Sequence, residues 1–294
     1  MPISKTRILI FGGKQADGQR TADIEEYNLK NNSFKTLPFK MPKARSGFAA
    51  CIKRDEARIY FCGGNSGSGS NGSVLRKFDC LDLKKGKWTR LNDMLMKRDE
   101  LSVAFGPDGN IYAIGGFGGG LVNPVGASSS SEMPEGAQTT VDTTQEQQAA
   151  QPQSQNDQFC QCLKEAERYN FATQQWDLLP PMKEARRALA AVVLPDGIYA
   201  IGGYDGRQYL ATVEKFDLNR QEWVYVKSMN TARCTLSAVA STDCQYIYVL
   251  GGYNGKALNL VERYSVMNNS WELMPPMNVK RFMHQSVTLL RSEM

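Results

Sequence analysis

The sequence predicts an all-β chain built from five four-stranded units. Three recurring features predict it: a double glycine ending a β-rich apolar run, an aromatic residue after a charged pair, and a methionine followed four positions later by an arginine.

The double glycines close ILIFGG at Gly13, IYFCGG at Gly64, IYAIGG at Gly116 and at Gly203, and IYVLGG at Gly252, at intervals of 51, 52, 87 and 49 residues. Two glycines suit a crowded strand end, where the backbone needs a positive φ or another chain passes close by. The aromatics are Tyr27, Phe78, Tyr169, Phe216 and Tyr264, each in a short alternating strand. A second ring follows seven residues later at Phe34, Trp176, Trp223 and Trp271. Trp88 lies ten residues after Phe78, which reads as a three-residue expansion of the second unit. The methionine and arginine pairs are Met41/Arg45, Met94/Arg98, Met182/Arg186, Met229/Arg233 and Met277/Arg281. Each leads into small and β-branched residues such as LAAVVL, and PDG turns at 107–109 and 195–197 lead on to the next double glycine. The strands are labelled a to d: the double glycine ends b, the aromatic lies in c, the tryptophan opens d, and the arginine precedes a.

Four strands at a period near 50 residues resemble the kelch repeat of β-propellers, and the resemblance runs end to end apart from one insertion. It implies a single propeller over 1–294 with five four-stranded blades. The chain opens on a b strand and ends on an a strand, Phe282 to Leu290, so the C-terminal strand is expected to pair with the N-terminal blade and close the ring. Closure would hide strand edges that otherwise recruit other chains. Five blades are fewer than the six or seven usual in the family.

Composition narrows the chemistry. One histidine, His284, leaves little room for Ser-His-Asp triads or histidine-rich metal sites. Seven scattered cysteines with no spaced double pair point to reduced thiols rather than a zinc site or disulfide framework. A net charge of +5 is far from the clustered excess of a nucleic-acid binder. No signal peptide or membrane-length apolar run is read, so a cytoplasmic address is expected, with no nucleic-acid or membrane partner. The glycine-rich string from Gly115 to Gly120 follows a propeller strand and opens no helix, so it is not read as a phosphate loop. No cofactor or metal is expected.

Antiparallel strands put the d-to-a and b-to-c connections on one face. Rotational repetition is expected to ring that face with Arg45, Arg98, Arg186, Arg233 and Arg281, flanked by Phe117, Tyr204, Tyr253 and Asn254 from the b-to-c loops. Guanidinium forks beside rigid aromatics make a cradle for an acidic protein or peptide. A recurring arginine equally fits an architectural role, bonding loop carbonyls or a neighbouring carboxylate. The long interval places an insertion at 118–158 in the third unit, rich in Gly, Ser, Gln, Thr and Ala and read as disordered. Between Phe117 and Cys160 it carries five acids and no Lys or Arg, so it could fold over a basic mouth; an inert insertion is the simpler reading.

The resemblance implies a non-catalytic interaction module, monomeric or a subunit of a larger complex, acting as substrate receptor of a ubiquitin ligase or as a cytoplasmic scaffold. No BTB-like segment is read before the propeller. Cytoskeletal association with actin or microtubules is the alternative. An enzyme of the galactose oxidase type is a distant third, because that chemistry needs two histidine ligands.

Overall fold

The computed structural model describes residues 7–53, 55–67, 73–121 and 160–284. All regular elements among them are β-strands. Four antiparallel sheets have four strands each, in chain order: Ala49–Lys53, Arg58–Cys62, Phe78–Asp82 and Lys87–Arg90; then Ser102–Phe105, Ile111–Ile114, Ala166–Asn170 and Gln175–Leu178. The next two comprise Ala190–Leu194, Gly197–Ile201, Val213–Asp217 and Glu222–Val226, and Ser237–Ala240, Tyr246–Leu250, Val261–Ser265 and Ser270–Met274. The first unit has three described strands, Arg7–Phe11, Ile24–Asn28 and Ser33–Thr36, which occupy the b, c and d positions. The a strands of successive complete sheets are neighbours, which is the arrangement of propeller blades.

Each junction between sheets is an apolar core containing one of the recurring methionines. Ile24, Met41, Phe61 and Leu81 join the first two units, and Tyr60, Phe78, Met94, Ile111, Tyr169 and Trp176 join the second and third. Tyr112, Met182, Ile198, Phe216 and Trp223 fill the next junction, and Tyr199, Val213, Met229, Leu236, Ile247 and Tyr264 the last. An unbranched thioether fills the irregular gap between twisted sheets. Burying one large ring removes about 150–250 Å² from water, worth several kcal/mol. Three of the four tryptophans add a polar link to the preceding sheet. The indole of Trp176 donates to the carbonyl of Asn92, that of Trp223 to Pro180, and that of Trp271 to Lys227, at 2.9, 2.9 and 2.7 Å.

The register corrects the reading of the second unit. Leu81 pairs with Trp88 just as Tyr27 pairs with Phe34, Tyr169 with Trp176, Phe216 with Trp223 and Tyr264 with Trp271. Leu81 therefore holds the ring position of strand c, seven residues before Trp88 as in every other unit, and there is no expansion. Phe78 starts that strand and packs against Tyr169 and Trp176 of the next sheet.

The double glycines have a steric cause. Gly202 has φ +59°, and a Cβ there would stand 2.7 Å from the Arg233 carbonyl oxygen, the same oxygen that accepts the N–H of Gly203 at 2.9 Å. The other four pairs repeat this contact, with the arginine of the same unit supplying the carbonyl each time. Of the expected 118–158 insertion, Gly118 and Gly119 belong to the strand Phe117–Gly119, which pairs with Lys97–Asp99 and Gln161–Cys162. Residues 122–159 lie outside the described residues, as does the proposed acidic lid. Phe282, Met283 and His284 are described and form no strand; the rest of the expected closing strand lies beyond them.

Candidate functional site

Four of the five arginines that precede the a strands do not line an open mouth. Arg45, Arg98, Arg186 and Arg233 are all 0% exposed, and each bridges two successive sheets. Their Nη2 atoms meet Asp79, Glu167, Glu214 and Glu262, respectively, at 2.8, 2.9, 3.0 and 3.0 Å. Their Nη1 atoms donate to the first glycine carbonyl of the following unit, at Gly63, Gly115, Gly202 and Gly251. The three buried glutamates also cap the d-to-a connection of the preceding unit. Glu167 accepts the N–H groups of Leu95 and Met96, Glu214 those of Lys183 and Glu184, and Glu262 those of Asn230 and Thr231. Burial pulls the pKa values of Arg45 and Arg233 down, against the carboxylate that faces each. The expectation that these four arginines hold a ligand is thus corrected: a charge with no exposed surface, and with its donors on glutamate and carbonyl oxygens, is part of the frame between sheets. Arg281, in the last unit, is exposed.

The residue after each arginine is the one that meets the b-to-c loops. Ser46 bridges to Asn65, Asp99 pairs with Phe117, Arg187 bridges to Tyr204 and Cys234 to Tyr253. These contacts bring the two sets of connections to one face. At the fourth and fifth units they surround a cavity of about 530 Å³, lined by Arg187, Tyr204, Tyr209, Tyr253 and Phe282, with Glu100 at its edge. The rings form a continuous run: Tyr204 and Tyr209 have centroids 5.4 Å apart, Tyr209 and Tyr253 6.1 Å, and Tyr253 and Phe282 5.3 Å. The Arg187 guanidinium lies 5.4 Å from the Phe117 ring centroid and 5.3 Å from that of Tyr204, with Nη1 3.7 Å from Glu100. Stacking on two rings fixes a guanidinium whose free edge can still take a carboxylate. Its side chain is 36% exposed, so it is accessible.

The structure therefore brings Phe117, Tyr204 and Tyr253 together. Asn254 is half-buried beside Tyr253, and its Oδ1 has no hydrogen-bond partner among the described residues. Repeat-based reasoning missed Arg187, because it looked for what all units share and no other unit has arginine at this place. The Arg186-Arg187 doublet was the available signal.

Beside this cavity a larger one of about 700 Å³ reaches from Lys14 and Arg20 past Gly47, Asp99 and Glu100 to Met283 and His284. The face is thus mixed in charge rather than uniformly basic. Burial, and then the Glu100 carboxylate, push the Asp99 pKa up to about 6. Between about pH 4 and 6 the folded protein consequently keeps a proton on Asp99 that the unfolded chain, with an ordinary value of 3.8, has lost. Stability from this group falls as pH rises from about 4 through 6. Asp99→Asn is expected to remove that loss, so urea midpoints of variant and wild type should separate in the variant's favour between pH 4.5 and 7. Burial and the charge of Arg281 hold His284 below the usual histidine range.

Comparison with known proteins agrees with this architecture. Residues 185–230 and 234–278 match the Kelch motif. Over 51 residues the chain is 41% identical to Kelch-like protein 1 from Mus musculus, covering 17% of this chain and 7% of that protein. Over 47 residues it is 45% identical to Kelch-like protein 5 from Homo sapiens, covering 16% and 6%. The chain thus carries kelch repeats, and its matches span less than a tenth of these relatives' length.

Proposed function

We propose that this chain is a non-catalytic interaction module, a five-bladed kelch propeller that binds a protein or peptide on the face carrying Arg187, Tyr204 and Tyr253. In this reading the segment after His284 pairs with the edge of Arg7–Phe11 that no described strand occupies, and supplies the a strand missing from the described first sheet. The aromatic cavity with its braced guanidinium carries the binding reading. Three tyrosines and a phenylalanine offer rigid apolar contact, and Arg187 offers a charged fork beside them. The partner chemistry that fits is an extended peptide with an apolar or aromatic anchor and a neighbouring carboxylate. The wider role, by resemblance, is that of a substrate receptor for a ubiquitin ligase or a scaffold. The seven cysteines are free, which suits a reducing cytoplasm.

A random dodecapeptide display library selected on the wild-type protein tests the reading. The enriched peptides are expected to combine Asp or Glu with a large apolar residue and to lose binding to Arg187→Glu. Enriched peptides that bind Arg187→Glu as tightly would overturn it.

A further inference from the structure

The four described junctions obey one rule, and the two ends of the chain each hold half of a fifth. At each junction the arginine of one unit reaches the first glycine carbonyl and a carboxylate of the next, Gly63 and Asp79 for Arg45; at the other three it also meets the backbone carbonyl two residues before that carboxylate. Arg98 meets the carbonyls of Gly115 and Glu165 and the side chain of Glu167; Arg186 meets those of Gly202 and Thr212 and the side chain of Glu214. Arg233 meets the carbonyls of Gly251 and Leu260 and the side chain of Glu262.

The register fixes the corresponding groups in the first unit. Glu25 pairs with Ile10, as Glu214 pairs with Ala200, Glu167 with Ala113, Glu262 with Val249 and Asp79 with Phe61. The N–H of Gly12 donates to the Asp23 carbonyl, as that of Gly115 donates to Glu165 and that of Gly202 to Thr212. Gly12, Asp23 and Glu25 line one small cavity, and Glu25 is exposed. At the other end stands exposed Arg281, whose carbonyl already accepts the Gly252 N–H in the manner of the other four arginines.

A second series ends at the same two places. The residue two beyond each arginine has a positive φ, and its N–H donates to its predecessor in the preceding unit. Glu100 donates to Gly47, Ala188 to Glu100, Thr235 to Ala188 and Met283 to Thr235. The series starts at Gly47 and stops at Met283, and both residues border the same 700 Å³ cavity. The apolar faces are unfinished to match: Ile8, Ile10 and Phe34 on the first sheet are exposed, as are Leu273, Phe282 and Met283 on the last unit.

We propose that Arg281 closes on Glu25 and on the Gly12 and Asp23 carbonyls within the same chain, forming a fifth junction of the same kind as the other four. The occupant of the open first-sheet face is then the fifth unit of this chain. Charge complementarity and the continuity of both series argue for it. The inference rests on the five-bladed ring proposed above, yet the two can fail separately.

Amide hydrogen exchange across residues 7–11 of the full chain, in wild type, Glu25→Ala, Arg281→Ala and the double variant, decides it. Each single variant is expected to speed exchange at least tenfold, and the double variant no further than either single, because both remove one contact. Multiplying effects, or no effect in either single variant while the wild type is protected, would mean a ring that closes without this latch. Exchange at the free-chain rate in the wild type, at those amides of residues 7–11 that do not bond the Ile24–Asn28 strand, would mean the ring itself is open. Protection that grows with protein concentration would place the junction between two copies, which also overturns the proposal.

Discussion

Replacing Arg186 with alanine is expected to destabilise the protein by about 3–5 kcal/mol, the cost of stranding one member of a buried ion pair. The substitution leaves Glu214, itself 0% exposed, facing only the N–H groups of Lys183 and Glu184. It also removes donors from the carbonyls of Gly202 and Thr212 and from the Thr212 hydroxyl. The Thr212 carbonyl keeps the Gly202 N–H, but the Gly202 carbonyl loses the Arg186 donor in a buried place, so the loss exceeds that of the ion pair viewed as Coulomb attraction alone. For a domain of this size the melting temperature should fall by roughly 6–20 °C. The denaturant midpoint should shift with an unchanged slope if the variant still folds as one unit. Arg233→Ala should behave alike, since Arg233 makes the equivalent contacts one junction later. A midpoint shift below about 1 kcal/mol would show that the arginine is dispensable to the frame and that its burial has another cause.

Arg187→Ala, one residue away, is expected to do the reverse. Its pair with Glu100 is long and partly exposed, a class worth about 0–1 kcal/mol, so stability should change by no more than about 1 kcal/mol. Affinity for a peptide selected on the wild type should drop by about 1.5–2 kcal/mol, roughly 10- to 30-fold, because a braced guanidinium lost from an aromatic pocket removes both charge and contact. Tyr253→Ala should cost a similar amount by opening the run of rings between Tyr209 and Phe282. Titration of the selected peptide against the two variants, with thermal melts in parallel, measures both halves of the expectation. Unchanged affinity in both variants would move the binding site elsewhere.

The contrast between neighbours shows what the sequence could and could not disclose. Strand order, the double-glycine strand ends and the pairing of strands c and d were readable because each recurs and each has a local steric or packing cause. The position of the arginines was readable too, but not their surroundings, since an arginine that meets water and one that meets a glutamate recur equally well. The missing signal was the carboxylate two residues before the ring position of strand c, present in all five units as Glu25, Asp79, Glu167, Glu214 and Glu262. An acid that recurs in step with a basic residue points to a pair. The second unit was misread because Phe78 supplied an aromatic three residues before Leu81, the residue that fills the ring position. Arg187 was passed over because binding specificity lies where the units differ, and a search for repeats discards differences.

The central claim is that the frame uses the recurring arginines while ligand binding uses the non-recurring residues beside them. The most direct test is the hydrogen-exchange footprint of a wild-type-selected peptide on the intact protein. Slowed exchange is expected at residues 187 and 204–210 and around Tyr253. The opposite face offers a competing cavity of about 470 Å³, lined by Arg58, Tyr60, Cys80, Tyr169 and Phe171. A footprint confined to that cavity, with residues 187 and 204–210 untouched, would contradict the account.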